Sequence, residues 1–162
     1  MADQKFTDIA FERRSDGIYD ISIEDEDRDL RTVTGYETAI MCSLFTDRRA
    51  AADEVADPWK RRGWIGNLVA ETPGDNYGSG LWLFEQRRGT PDVIAGVSDE
   101  ARKSLDWMIE GRLVLSIDAQ ASYDPAKRLM TLSMTATDLL GGVSRKSFEL
   151  WRNTGSTTVT NR

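Results

Sequence analysis

The sequence predicts an α+β protein, with two main helices packed on a mostly antiparallel sheet that has a C-terminal β-hairpin or meander. Three observations predict this class. Two segments, around residues 40 and 105, repeat apolar residues at helical spacing. From residue 113 to residue 136 the period changes from 3.6 to 2, and a turn at 123–127 interrupts the alternation. A third, shorter strand at 147–151 follows the glycine pair at 141–142.

The first predicted element is a short strand within residues 18–23. Apolar side chains alternate there and share the face that we expect to be buried: Tyr19, Ile21 and Ile23. The acidic run at 24–29 then alternates as in a calcium-binding loop, but Leu30 and Tyr36 stand where that motif needs Gly and Glu. We therefore expect a solvated acidic loop rather than a calcium site.

The first helix begins at a predicted capping box. The Thr34 hydroxyl can accept from a first-turn amide, while Glu37 reaches back to the Thr34 N–H. Apolar side chains recur at helical spacing and are expected to pack on the core: Ile40, Met41, Leu44 and Phe45. Cys42 lies in this apolar stretch, so we interpret it as a small core residue rather than a reactive thiol.

Residues 58–80 are predicted to form an ordered irregular loop. Glycine and proline recur too often for a long helix or strand, yet Trp59 and Trp64 flank the cationic run 60–62. A flexible linker would instead be polar or rich in Gly and Ser. We therefore expect this loop to pack against another surface. The short apolar element that follows at 81–85 fits either a helix or a strand.

The second helix is predicted at residues 98–110. Ser98 is a suitable N-cap with two acids after it, and Gly111 is a suitable left-handed C-cap. The apolar face of this helix comprises Ala101, Leu105, Met108 and Ile109. In the hairpin that follows, one strand alternates Leu113, Leu115, Ile117 and Ala119 with Val114, Ser116, Asp118 and Gln120. The other strand alternates Met130, Leu132, Met134 and Ala136 with polar residues.

Length and composition restrict the class of protein. The 162 residues suit one domain over 1–152, followed by a flexible polar tail at 153–162. No apolar run is long enough to cross a bilayer and no secretion signal is recognisable, so we expect a soluble chain without a membrane partner. A net charge of −6 works against nucleic-acid binding, which depends on neutralising phosphates.

The absence of histidine excludes several kinds of site. No His can act as general base or zinc ligand, and one cysteine can form neither an internal disulfide nor a Cys-rich metal site. The sequence therefore predicts no metal and no cofactor. Catalysis by paired carboxylates, as in a glycosidase, stays open with Glu37 or Glu85 as general acid, although a structural role is favoured for each.

Pairs of arginines are the strongest binding signal. Arginine forms bidentate pairs with carboxylates and stacks on aromatic rings, which makes it frequent in protein interfaces. One pair lies between two tryptophans, and we interpret the cluster as a surface that docks a neighbouring subunit: Trp59, Arg61, Arg62 and Trp64. Arg48 and Arg49 are a second candidate pair for binding a partner.

Four short motifs occur in order along the chain: TGYETAI at 34–40, SLFTDRRA at 43–50, RRGW at 61–64 and GLWLFE at 80–85. Together with the second helix, the hairpin and FELW at 148–151, they resemble the small baseplate-wedge protein family of Mu-like contractile-tailed phages. The resemblance extends over residues 8–152. That family is related to the lysozyme-like wedge protein of T-even phages.

This resemblance implies a structural protein of the inner tail baseplate, assembled in the host bacterial cytoplasm and present in the virion. Such proteins clasp larger wedge subunits within a symmetric hetero-oligomeric assembly, and they offer a sheet edge to which the tail sheath protein adds by strand exchange. Distant relatives carry a Glu-Pro-Arg corner whose charges pair inside the assembly. This chain has Glu110, Gly111 and Arg112 at the matching corner.

Three hypotheses follow from the sequence. The first is a non-enzymatic baseplate protein in which Glu110 and Arg112 form charge pairs in the wedge and the Arg/Trp cluster docks a neighbour. The second is a peptidoglycan-degrading glycosidase of the tail, although the resemblance carries over no catalytic residue. The third is a general adaptor that only binds.

Overall fold

A computed structural model describes residues 7–13, 19–23, 29–69, 77–85 and 87–152. The strands are β1 Thr7–Ile9, β2 Phe11–Arg13, β3 Tyr19–Ile21, β4 Thr32–Thr34, β5 Val114–Asp124, β6 Leu129–Asp138 and β7 Val143–Arg152. The α-helices are α1 Glu37–Phe45, α2 Pro91–Lys103 and α3 Asp106–Glu110, and 3-10 helices occupy Pro58–Lys60, Ile65–Leu68 and Leu81–Phe84. The predicted α+β class is confirmed. The predicted tail at 153–162 and residues 24–28 of the acidic run lie outside the described residues.

The chain divides into two compact units, Met1–Cys42 and Ser43–Arg162, and the division falls within α1. In the first unit β1 pairs antiparallel with β4, and β2 pairs antiparallel with β3. In the second unit β5, β6 and β7 form one antiparallel sheet in that order. None of the described helices is long and apolar enough to span a membrane.

The short strand of the first unit buries the opposite face from the predicted one. Ser22 and Ala10 are buried, whereas Ile21 and Ile23 are exposed. Main-chain pairing holds Ser22 between two neighbouring segments, since its N–H donates to Ala10 O and its carbonyl accepts from Arg31 N, both at 2.9 Å. Because side chains alternate along a strand, turning Ser22 inward turns its neighbours outward, and the predicted burial of Ile21 and Ile23 is wrong.

The first helix begins later than the predicted capping box. Thr34 belongs to β4, and α1 starts at Glu37. A carboxylate from outside the helix caps its first turn, since Asp8 Oδ2 accepts from Ala39 N at 3.0 Å. The Thr38 hydroxyl also donates to the carbonyl of Ile9. Three residues of the predicted apolar face, Ile40, Met41 and Leu44, are buried, but Phe45 is exposed.

The predicted hairpin is confirmed, but the predicted alternation is wrong at the start of β5, where Val114 is buried and Leu115 is exposed because the register shifts between Val114 and Ser116. β5 and β6 pair antiparallel around the turn at 125–128. The β6 side chains that share one face are all buried: Met130, Leu132, Met134 and Ala136. The third strand is longer than the predicted segment 147–151, because β7 begins at Val143 and pairs along most of β6. Phe148 of β7 is fully buried and meets Phe45 edge-to-face, with 5.6 Å between ring centroids.

The second predicted helix begins at Pro91, not at Ser98. Proline suits the first helical position, because its missing N–H would have no intrahelical partner there. Ser98 is buried in the middle of α2, where its Oγ donates to Ile94 O at 3.0 Å. The helix breaks after Lys103, and α3 continues the predicted segment. Of the apolar face predicted for the single helix at 98–110, Ala101, Leu105 and Met108 are fully buried, but Ile109 is exposed.

Candidate functional site

Arg48 is the centre of an ion-pair cluster in the second unit. Its Nε donates to Glu100 Oε1 at 2.8 Å, and its terminal nitrogens donate to the two Glu54 oxygens at 2.8 and 2.7 Å. The hydrogen bond to Glu54 holds the pKa of Arg48 above its ordinary value, against the opposing effect of burial, and Glu100 adds to it. In turn, the hydrogen bond from Arg48 lowers the pKa of Glu54 from 4.5 to about 2. Arg48 therefore acts within this chain as a structural cation.

Glu100 ties this cluster to the backbone at Gly80. The same Oε1 accepts from Gly80 N at 2.6 Å. A Cβ at position 80 would lie 2.6 Å from Glu100 Oε1 and 2.7 Å from an Arg48 nitrogen, so any larger residue would push these two side chains away. The adjacent residue Ser79 pairs with the segment before Arg48: Ser79 N donates to Thr46 O at 2.8 Å. This arrangement fixes the chain at 46–48 against the chain at 79–80.

Arg49 and Arg61 organise the loop between them by binding carbonyl groups. Arg61 Nε donates to Val55 O at 2.7 Å and a terminal nitrogen donates to Ala56 O at 3.1 Å. Arg49 donates to Pro58 O at 3.2 Å. Carbonyl oxygens satisfy the donors of a guanidinium but leave its charge in place. Both arginines are therefore positioned by the loop without being neutralised by it.

Arg62 pairs with two acids and one aromatic ring. One of its terminal nitrogens lies 3.2 Å from Asp47 Oδ2 and 3.6 Å from Glu85 Oε2. Its guanidinium lies 4.9 Å from the ring centroid of Trp82. Trp82 belongs to the 3-10 helix Leu81–Phe84, so the short apolar element is helical, and its Nε1 donates to Arg48 O at 3.0 Å. Arg62 thus joins the loop to this helix.

Large apolar side chains cluster on the surface of the same loop. We call this the apolar loop surface: Trp59, Trp64, Ile65, Leu68 and Val69. Their exposed fractions lie between 49% and 96%, with Trp59 the most exposed. Two 3-10 helices carry most of these residues, and the Trp64 ring meets Tyr77 at 5.4 Å between centroids. Several large exposed apolar side chains on one ordered loop are typical of a site of interaction.

The corner after α3 is built by a left-handed arginine. Arg112 has φ +54°, whereas Gly111 has φ −72°, so the predicted left-handed cap at Gly111 is wrong by one residue. The N–H of Leu113 donates to Met108 O at 2.9 Å and the N–H of Arg112 donates to Ile109 O at 3.0 Å. These two bonds form a Schellman motif, which satisfies the last carbonyls of the helix and fixes the corner.

Glu110 and Arg112 carry exposed side chains at this corner. Within the described ranges 7–13, 19–23, 29–69, 77–85 and 87–152, neither side chain forms a hydrogen bond or ion pair. Glu110 also lines a cleft of about 620 Å³, together with Arg48, Lys103 and Trp107. The two charges of the corner are thus presented outward on rigid backbone.

The structure gives no support to the candidate catalytic acids. A glycosidase keeps its general acid protonated in an apolar setting, whereas Glu85 lies 3.6 Å from the Arg62 guanidinium. Glu37 occupies the first turn of α1 in the other unit. Over the part of the chain that the structure describes, no group of three or more His, Cys, Asp or Glu side chains could hold a metal ion.

Sequence reasoning missed Glu54 and Glu100. Glu100 was placed in the first turn of a helix starting at Ser98, but α2 begins seven residues earlier, at Pro91. The sequence did contain a signal for Glu100. It follows Val97 by three residues and precedes Met108 by eight, so helical spacing places it on the same face as these apolar residues. An acid on such a stripe indicates a buried partner. Glu54 carries no comparable signal.

Comparison with known proteins places the chain in a family. The family described as Phage protein GP46 matches residues 36–141, which run from the start of α1 to the turn after β6 and include every predicted partner-binding residue. The chain belongs to this GP46 family. The resemblance to a baseplate protein family of Mu-like phages is therefore confirmed.

Two relatives of the GP46 family are similar to this chain. Baseplate protein gp46 of Escherichia phage Mu is 35% identical over 95 residues, which cover 57% of this chain and 63% of that protein. Mu-like prophage FluMu protein gp46 of Haemophilus influenzae is 26% identical over 110 residues, which cover 68% of this chain and 73% of that protein. The match to the phage Mu protein therefore spans less than two thirds of its length.

Proposed function

We propose that the chain is a non-enzymatic structural component of a contractile phage tail baseplate, placed in the inner wedge of the virion after assembly in the host cytoplasm. Membership of the GP46 family and the similarity to the baseplate protein of phage Mu support a baseplate role. The observation that carries the proposal is the apolar loop surface, since an ordered loop that exposes Trp59, Ile65 and Val69 to water is typical of a subunit that is buried in an assembly.

The corner at Glu110 and Arg112 supports contact with the larger wedge subunits. Both side chains are exposed, and the Schellman motif holds their backbone. Because the backbone is already fixed, a partner that binds here has to order only the two side chains. In this proposal Glu110 and Arg112 pair with opposite charges of neighbouring subunits, which clasp the chain in the wedge.

The edge of β7 is the site we propose for the tail sheath strand. The other edge of the sheet is partly covered, because Ala121 N of β5 donates to Ser98 Oγ of α2 at 2.8 Å. β7 pairs only with β6 among the described strands. A strand edge of ten residues offers main-chain donors and acceptors to an added strand. The sheath would therefore extend the sheet beyond β7.

The substitution Glu110→Ala tests the wedge assignment. Because Glu110 is exposed and has no ion pair within the described residues, we expect the free energy of unfolding to change by less than about 0.5 kcal/mol. We also expect few complete particles when this variant complements a phage that lacks the gene. Asp99→Ala is the matched control, since Asp99 is an exposed acid of α2 that pairs locally with Arg102. Normal yields of infectious particles with Glu110→Ala would contradict the assignment.

A peptidoglycan zymogram tests the non-enzymatic assignment. The purified chain is expected to leave the substrate intact at any concentration found in particles. Clearing that disappears in Glu85→Gln or Glu37→Gln would instead establish the glycosidase. Asp99→Gln would control for nonspecific effects of losing an acid.

A further inference from the structure

The apolar loop surface is presented by well-fixed backbone. Asp57 Oδ1 accepts from Trp59 N at 3.0 Å, which holds the start of the first 3-10 helix. Trp64 N donates to Asp47 O at 2.9 Å and holds the start of the second. An apolar side chain on fixed backbone loses little freedom on binding, so such residues suit a specific contact.

Two positive charges next to this surface have no carboxylate partner among the described residues. Arg49 donates to the carbonyl of Pro58, the residue before Trp59, and Arg61 donates to the carbonyls of Val55 and Ala56. By contrast, Arg48 and Arg62 each pair with two acids. The apolar loop surface therefore adjoins two fixed cations, Arg49 and Arg61. This local positive charge contrasts with the net charge of −6 of the whole chain.

We infer that the apolar loop surface binds an acidic amphipathic segment of a neighbouring subunit, whose apolar side chains cover Trp59, Ile65 and Leu68 and whose carboxylates pair with Arg49 and Arg61. The exposed tryptophan is a typical anchor of an interface, and guanidinium groups bind carboxylates in a bidentate manner. A second copy of this chain fits poorly, because a symmetric contact would bring the same two cations face to face. The inference rests on the proposed function, which supplies the neighbouring subunit.

Photo-crosslinking in assembled particles tests the identity of this segment. Trp59→benzoylphenylalanine places a reactive aromatic group at the centre of the surface. The expected crosslinked peptide comes from another subunit and has more acidic than basic residues. If the chain is present in particles but crosslinks to a basic or neutral peptide, to a second copy of itself or to no other chain, the inference is overturned. Absence of the chain from purified particles would overturn the proposed function as well.

Binding of a synthetic copy of that crosslinked peptide to the purified chain and its Arg61 variants separates the contribution of charge to the affinity from that of loop structure. Arg61→Gln is expected to weaken binding roughly threefold to tenfold at low salt and to reduce its salt dependence. Arg61→Lys keeps the charge but loses the bidentate geometry and the bonds to Val55 O and Ala56 O, so it is expected to bind more weakly than the parent chain and more tightly than Arg61→Gln. Lys127→Gln removes a cation from the distant β5–β6 turn and serves as control. Equal affinity of Arg61→Gln and the parent chain, or an equal loss in Arg61→Lys, would overturn the role of charge.

Discussion

Replacing Glu100 is the most informative test of how the second unit is held together. Its side chain is only 11% exposed, and one oxygen accepts from both Arg48 Nε at 2.8 Å and Gly80 N at 2.6 Å. Glu100→Ala leaves the Gly80 N–H without its acceptor, which costs about 1–3 kcal/mol. It also removes one of the two carboxylates of a half-buried guanidinium, and breaking a buried ion pair costs about 3–5 kcal/mol. Because Glu54 still neutralises Arg48, we expect a total loss of about 3 kcal/mol.

Two further substitutions divide this loss into its parts. Glu100→Gln keeps an oxygen for the Gly80 N–H and removes only the charge, so we expect it to cost about 1–2 kcal/mol. Glu54→Gln removes the more exposed partner of Arg48 and is expected to cost at most about 1 kcal/mol, since solvent screens such pairs.

Urea unfolding of the three variants measures these differences, with the slope of each transition checked for constancy. The expected order of destabilisation is Glu100→Ala, then Glu100→Gln, then Glu54→Gln. A loss below about 1 kcal/mol for Glu100→Ala would refute the reasoning. A loss for Glu54→Gln that equals or exceeds that of Glu100→Ala would refute it too.

Two other predictions follow from the same unit. Arg112→Gly removes the strain of a left-handed non-glycine residue at φ +54° and should raise the melting temperature by about 2–4 °C, whereas Arg112→Ala should not; an unchanged melting temperature in Arg112→Gly would contradict this. The pKa of Glu54 is lower in the folded chain, about 2, than its ordinary 4.5, so the folded state binds fewer protons. Its stabilisation of up to about 1 kcal/mol is present above pH 4.5 and is lost as the pH falls towards 2, and acid titration of unfolding in Glu54→Gln should lack that component.

Local sequence patterns correctly predicted the buried face of some elements, namely those in which the apolar residues all lie on one side. The alternation on β6 placed Met130 and Leu132 on one face, and both are buried, because side chains of a strand point to opposite faces in turn. The same reasoning failed at Ile21 and Ile23, where Ser22, which donates to Ala10 O and accepts from Arg31 N, lies on the buried face instead. Periodicity indicates that a strand has two faces, but the neighbouring strands select the buried one.

The candidate site shows the same division. The Arg/Trp composition of the loop predicted a surface that docks a neighbouring subunit, which stays a prediction, and in the isolated chain Trp59 and Trp64 are exposed. Local sequence did not predict that Arg61 binds the carbonyls of Val55 and Ala56, because such a loop closes only when the chain has folded. The start of α2 was missed because Ser98 has an N-cap composition but serves as acceptor for Ala121 N, 23 residues away.

The order of residues by itself determined the helical and strand periods, the charge balance, the absence of histidine chemistry and the family to which the chain belongs, because each of these depends on neighbours within a few positions or on composition. Only the tertiary structure decided that Glu100 meets Arg48 across 52 residues and Gly80 across 20. Such pairings form when α2 packs on the 3-10 helix Leu81–Phe84 that follows Gly80, and no local propensity records them.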